Sequence, residues 1–465
     1  MMRNTYLRSV FKGTFGLLLL GSLTISCQQA NKNADGWENL FNGKDLNGWK
    51  PLAGKADYHV EDDAIVGVMT KGLPNSFLVT DKEYGDFILE LEVKLEGSTT
   101  NSGVQTRSHF DSTANNGTGK VYGRQMDIDP TGRAWTGGIY DEGRREWLYP
   151  LDLNSNAKTA YKPNDYNHYR IEAIGNETRT WVNGVPAAFV IDSLDDSGFI
   201  ALQVHAIPDS LDGKKVYFKN IRIQTKDLKP QDFPKDVYVV NTRANDLSEA
   251  EKAAGYSLLF NGKDSQGWHS ARGDKFPEKG WKIENGLIEV QKSDGAESTN
   301  GGDIVTDKQY KAFDLSFDFK LSPGANSGVK YFVTLDEKTA GSAIGPEYQI
   351  LDDELHPDAK LGKDGNRTLA SLYDLITSDR NPRPRKPIGE WNRGRIVVTP
   401  DNHVTYYLNG FKMLDFVRGS EDFRKLVAGS KYKDWEKFGE AEQGHILLQD
   451  HGDAVAFRSI KIKEL

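Results

Sequence analysis

The chain has 465 residues, a formal net charge of −8, 46 glycines, 11% aromatic residues and a single cysteine. The acidic balance argues against a nucleic-acid partner, and one cysteine excludes an internal disulfide framework. A glycine-rich and aromatic-rich chain of this kind reads as a loop-rich, β-rich exported protein whose stability must come from apolar cores.

Arg3, Arg8 and Lys12 precede an apolar run from Phe15 to Leu20, which continues through Leu23 and Ile25 to Ser26 and Cys27. This order predicts an export signal over residues 1–27, with an apolar part too short to span a bilayer. A lone cysteine closing the run resembles a bacterial lipobox and predicts lipidation at Cys27, although Leu23 stands one place further from Cys27 than usual. Residues 28–35 then read as a polar tether in the bacterial cell envelope. Asp35 is its only acid, so the periplasmic side is favoured over the cell surface. No later apolar stretch reaches membrane-span length, which leaves the lipid as the sole membrane contact.

Beyond the tether the chain repeats itself. Gly36-Trp37-Glu38-Asn39-Leu40-Phe41-Asn42-Gly43-Lys44-Asp45 returns as Gly255-Tyr256-Ser257-Leu258-Leu259-Phe260-Asn261-Gly262-Lys263-Asp264. Asn101-Ser102-Gly103-Val104 is answered by Asn326-Ser327-Gly328-Val329, Tyr140-Asp141 by Tyr373-Asp374, and Gln203-Val204-His205 by Gln449-Asp450-His451. A spacing of this size fits two complete domains and is too long for a solenoid repeat. The boundaries predicted are 36–225 for the first domain, 226–254 for a linker and 255–465 for the second.

Phe87 to Leu95 and Phe313 to Leu321 place apolar side chains at every second position, as strands with one buried face require. Asn183-Gly184 and Asn409-Gly410 sit between apolar segments and predict tight hairpins, because both residues accept positive φ. Many short strands without long helical patterns predict an all-β chain of two sandwiches. In the linker, Ser248 followed by Glu251 is a capping-box pattern that predicts a short helix. The second domain carries two insertions. Asp379 to Glu390 reads as a basic, proline-rich loop over one end, and Asp422 to Glu440, with Trp435, as a helical or irregular flap.

Two residues apart along a strand, Gln203 and His205, like Gln449 and His451, are expected to project from one sheet face. An amide and an imidazole on a concave face suit a sugar, whose hydroxyls need paired donors and acceptors. Gln125, Asp127 and Asp129 also alternate, so the two acids are expected within range of a two-carboxylate glycosidase. Glu347 and Gln349 share a face and read as substrate or metal contacts, but the second domain can be aligned to the first in either of two registers. Neither register reproduces the pair of acids. A carbohydrate-binding module without catalysis is the third possibility, since such sandwiches host lectins as readily as enzymes.

Several stretches together resemble the 3-keto-disaccharide hydrolase family. They are Ser430-Lys431-Tyr432-Lys433-Asp434-Trp435, Gly444 to Gly452, Gly345 to Asp352, Gly123 to Asp129 and Gly137 to Glu142, with the repeated Leu-Phe-Asn-Gly-Lys-Asp opening. The resemblance covers nearly all of the chain after the tether, as two copies, and implies two tandem concanavalin A-like jelly-roll sandwiches. It also implies a carbohydrate substrate already oxidised at C3. A C3 ketone acidifies the C2 hydrogen, so a base, a group that stabilises the enolate and a leaving-group acid are needed. His205 and His451 are the expected base or acid, Arg107 and Lys330 the cations for the enolate, and Tyr140 and Tyr373 the proton donors. A divalent cation is the alternative to the basic residue. Substrate contacts are expected from Glu347, Gln349 and Gln449 in the second domain. In the first they are expected from Gln125, Asp127, Gln203, Glu142 and Arg144. The oligomeric state is not legible.

Overall fold

A computed structural model describes residues 36–293, 297–338, 343–379 and 382–465. The predicted export signal, Cys27 and the tether lie outside them. No helix among the described residues is long and apolar enough to cross a membrane.

Each half is a β-sandwich of jelly-roll type, and the two repeat one strand order. In the first, the strands Trp49–Leu52, Ser76–Tyr84, Gly198–Val204, Ser102–Asp111 and Lys120–Ile128 lie side by side in one sheet. In the second, Trp268–Ser270, Ile304–Tyr310, Gly444–Leu448, Asn326–Lys338 and Glu347–Leu351 follow in the same sequence. The opposing sheets are built around Phe87–Leu95 and Phe313–Leu321. Each sandwich encloses its own apolar core, the first around Leu89, Leu91, Ile171 and Phe218, the second around Phe317, Phe319, Tyr348 and Ile396.

The repeated opening is structural. In both copies its asparagine, Asn42 or Asn261, accepts two backbone N–H groups to close a turn. The tryptophan that follows donates its indole N–H to the carbonyl of Leu40 or Leu259, at 2.7 and 2.6 Å. Both hairpins form as predicted, with Asn183 at φ 50° and Gly184 at φ 80°, and Asn409 at φ 50° and Gly410 at φ 85°. The linker helix forms over Glu249–Ala253 with both halves of its capping box made.

The outer face of Phe313–Leu321 departs from the expectation of an open polar face. Asp314, Ser316 and Asp318 are all buried there, because the linker and the first sandwich cover them. Arg395 grips Asp314 with two hydrogen bonds, at 2.8 and 2.6 Å, and Tyr256 donates to the same carboxylate. Arg393 and Arg458 share Asp318, and Tyr238 from the linker reaches Ser316 at 3.0 Å. Lys386, from the proline-rich insertion, extends to the carbonyl of Arg145 at 2.6 Å, and Trp135 meets Phe411 edge-on at 5.2 Å. The insertion therefore ties the two sandwiches together.

Removing one partner of a buried pair strands the other charge, which costs about 3–5 kcal/mol, whereas exposed pairs contribute about 0–1 kcal/mol. Arg395→Ala is accordingly expected to lower the urea midpoint of the full chain strongly. Arg424→Ala, which loses only the exposed pair with Glu440, is expected to leave it nearly in place.

Candidate active site

The strand pairing settles the register that the sequence leaves open. Gly103 lies opposite Asp127, and Gly328 opposite Gln349. Asp127 therefore corresponds to Gln349, Gln125 to Glu347, and Gln105 to Lys330. Ser102 and Ser327 confirm the match, each donating to the carbonyl of its glutamine, Gln203 or Gln449, at 2.7 and 2.8 Å.

In the second sandwich these positions enclose a cavity of about 290 Å³. Lys330, Glu347, Gln349, Tyr373, Gln449 and His451 all line it, joined by Glu297, Asn326, Lys431, Tyr432 and Trp435. Every second-domain residue singled out in the sequence is thus brought to one place. The imidazole and amide come from just past the end of Gly444–Leu448 and not from within the strand, because the strand stops before Gln449. The first sandwich behaves similarly, with Gln203 inside Gly198–Val204 and His205 one residue beyond it.

Glu347 is the central acid. It is buried, and its carboxylate oxygen stands 4.0 Å from the Lys330 ammonium on the neighbouring strand. Room for it exists because residue 328 is glycine: a Cβ there would stand 2.1 Å from the Glu347 Oε1. Burial pushes its carboxyl up to about 7, against the pull of Lys330. Gln349 donates to Asn326 at 3.3 Å, and Gln449 to Glu297 at 3.0 Å.

Tyr373 is less available than its sequence position suggests. Its hydroxyl donates to Asp358 at 2.8 Å, and burial together with Glu347 and Asp358 raises its pKa well above the ordinary phenol range. A phenol committed in this way is a poor proton donor, so Tyr373 serves as a wall of the cavity. His356, His451 and Asp453 lie at the rim and can bring one ligand atom each within 4.8 Å of one another. Among the described residues this is the cluster that could hold a divalent cation, although the Nδ1 of His356 already accepts the Asp358 N–H at 3.2 Å.

The first sandwich keeps the frame and changes the charges. Gln105 donates to Gln125 at 3.0 Å where the second copy has an ammonium facing a carboxyl. Its acid stands two residues further on, at Asp127, pushed up to about 7 by burial and by Asp129. Glu142 accepts from Asn75 and Gln203, as Glu297 does from Gln449. His205 points Nδ1 at the Ala206 carbonyl, and burial lowers its pKa. Tyr140 packs edge-on against Trp147 at 5.3 Å.

Three expectations for this half are corrected. Arg107 is not in the hollow. The strand bulges between Thr106 and His109, leaving Arg107 at φ 46°, and its buried guanidinium bonds the carbonyls of Gly85, Ala173 and Gly175 and the carboxylate of Asp86. Arg144 turns away as well and pairs with Asp141 and Asp195. Asp129 falls just beyond the strand, where it binds Thr131 and Arg133. The Asp129 carboxylate is thus committed to Thr131 and Arg133 and is not free to act as the second acid beside Asp127.

Lys431 and Glu297 were not among the sequence candidates. Lys431 belongs to a stretch whose chemistry is visible only once the flap folds over the cavity. Glu297 comes from the loop between Leu287–Val290 and Ile304–Tyr310, which is longer than its counterpart between Ala64–Val68 and Ser76–Tyr84. A larger cleft of about 660 Å³ lies between the sandwiches, lined by Trp147, Tyr238 and Trp391. Its guanidinium groups are already paired with Asp141, Asp192, Asp314 and Asp318.

Because the folded value of Glu347 lies above its ordinary 4.5, folding is favoured while the carboxyl is protonated. That contribution fades as pH rises from the unfolded value through about 7. Glu347→Gln removes the dependence. Thermal melts at about pH 5 and pH 8 are expected to show a larger loss of Tm in the parent protein than in the variant.

Residues 36–224 and 255–463 each match the family described as the 3-keto-alpha-glucoside-1,2-lyase-like domain. Over 234 residues, 46% of this chain and 79% of its relative, the sequence is 38% identical to a 3-keto-disaccharide hydrolase from Bacteroides thetaiotaomicron. Two solved structures of Parabacteroides distasonis proteins, proposed to be glycosyl hydrolases, are also similar. One is 34% identical, with a TM-score of 0.42, over 48% of this chain and 100% of its own. The other is 27% identical, with a TM-score of 0.35, over 45% and 99%. The chain belongs to the 3-keto-disaccharide hydrolase family and carries its domain twice.

Proposed function

We propose that the second sandwich cleaves 3-keto-glycosides or 3-keto-disaccharides. The observation that carries this is the Glu347 carboxyl, poised near neutrality and facing the Lys330 ammonium inside a polar cavity. A volume near 290 Å³ is at the small end of ligand pockets, roughly 300–1,000 Å³, and suits one sugar ring.

With a ketone at C3, the C2 proton passes to the Glu347 carboxylate, and Lys330 opposes the negative charge that develops on the enolate oxygen. The enolate electrons then expel the C1 oxygen. His451 at the rim supplies the proton that the departing oxygen takes, and water adds to C1 of the enone to complete a net hydrolysis. Asn326, Gln349 and Gln449 offer the amide donors and acceptors that hold the ring hydroxyls. The first sandwich has amides where the second has its ammonium and carboxyl, and in this account it holds a sugar without turning it over. The Cys27 lipid anchor and envelope location belong to the same proposal.

Glu297 and Glu347 line one cavity, which gives a second account, a two-carboxylate hydrolysis of an unoxidised glycoside. Turnover of a 3-keto-glucoside is expected, with little turnover of the parent glucoside. Faster cleavage of the parent would favour the second account, and binding of either sugar without cleavage would reduce the protein to a carbohydrate-binding module. On the 3-keto substrate, Glu347→Gln is expected to lower kcat by roughly 10²–10⁴-fold. In the parent protein the rate should rise with pH through about 7, as the base ionises.

A further inference from the structure

We propose that Lys431 is a covalent catalyst: its amine condenses with the C3 ketone of the substrate to form an imine. The inference rests on the 3-keto function proposed above and supplies a step that function leaves open.

Two lysines enter the same cavity, and their surroundings differ. Lys330 donates to the Ala343 carbonyl at 3.3 Å and faces Glu347. Lys431 as a residue is exposed, but its ammonium reaches inward to 4.2 Å from the centre of the Tyr373 ring and 5.2 Å from that of Tyr432. That ammonium forms no hydrogen bond or ion pair among the described residues. The loop that carries it is firmly held. Its own N–H donates to Asp374 at 2.8 Å, and the next residue, Tyr432, is buried and stacked on Phe438 at 4.0 Å. An amine set against aromatic faces, beside a second ammonium and short of a partner, is the environment in which lysine becomes a nucleophile. Burial lowers the pKa of Lys431, and Lys330 and Arg367 add to the effect against Glu347 and Glu297. More of the neutral amine is therefore present near pH 7.

The step balances without any oxidant or reductant. The Nζ lone pair attacks C3, the carbonyl oxygen takes a proton, and loss of water leaves a protonated imine. That cation draws electrons from C2 more strongly than a neutral ketone does, so the Glu347 carboxylate removes the C2 proton to give an enamine. The enamine pair expels the C1 oxygen, which leaves with a proton as the alcohol. One water adds at C1 while C2 regains a proton, and a second water releases the amine and restores the ketone. The water lost at condensation returns, so the net change is addition of one water across the glycosidic bond.

The full chain, incubated with 3-keto-glucose and cyanoborohydride near neutral pH, is expected to gain one sugar less one oxygen atom. Peptide mapping should locate the adduct on Lys431. Lys431→Arg keeps the charge but cannot form the imine. It is expected to lose the adduct and to slow cleavage of a 3-keto-glucoside on the order of a thousandfold. Lys433→Ala, which alters an exposed lysine two residues away, should keep both. Turnover without an adduct, an adduct mapped to another lysine, or a Lys431→Arg protein that keeps most of its activity would overturn the imine and leave the proposed function standing. An adduct on Lys431 in a protein that cleaves no 3-keto-glycoside would support the imine and remove the proposed function. Neither adduct nor cleavage removes both.

Discussion

A carboxyl enclosed by protein must find a counter-charge, a proton or hydrogen-bond donors, and in the second sandwich Glu347 is placed between the first two of these. Lys330 stands across from it on the paired strand, close enough to attract but not to neutralise it fully. That balance depends on a missing side chain. Gly328 gives the carboxyl the space in which it sits, so a backbone choice on one strand decides the charge state available on the next. The tuned acid of the cavity descends from this arrangement.

The two copies show what duplication conserves and what it releases. Glycine, asparagine and serine are the same in both frames, because they shape the hollow and pin the neighbouring strand. The groups that carry charge are not. Lys330 and Glu347 become Gln105 and Gln125, and the acid moves two residues along to Asp127. An amide pair satisfies the geometry of the Lys330–Glu347 positions without an ammonium facing a carboxyl, and the desolvated acid of the first copy is Asp127 instead.

Much of this was legible in the sequence because it is local. Alternating apolar residues, the two Asn-Gly turns and the Ser248–Glu251 cap each act within a few residues, and the repeat supplied the architecture. The second-domain site was readable for a related reason: its residues flank motifs present in both copies. Arg107 was misplaced because the bulge that redirects it arises from pairing with strands distant in sequence. Tyr373 looked free because Asp358, which accepts its hydrogen bond, lies on a separate turn. Lys431 went unseen since its setting is made by a loop folding back over Tyr373, a long-range event with no periodicity to betray it. The buried outer face of Phe313–Leu321 was hidden likewise, since its alternation is the same whether water or a second domain covers it.

The linker does more than join. Val240–Asn241 adds in parallel to the edge strand Val185–Ile191, extending a sheet that would otherwise end on unpaired backbone groups. Exposed edges of this kind recruit other chains, and tandem proteins present two sandwiches at once. By laying its own connector along that border, the molecule occupies a place where a neighbour could dock and so guards itself against self-association. A cut between residues 226 and 239 would free this strip at one end and bare the backbone border of Val185–Ile191.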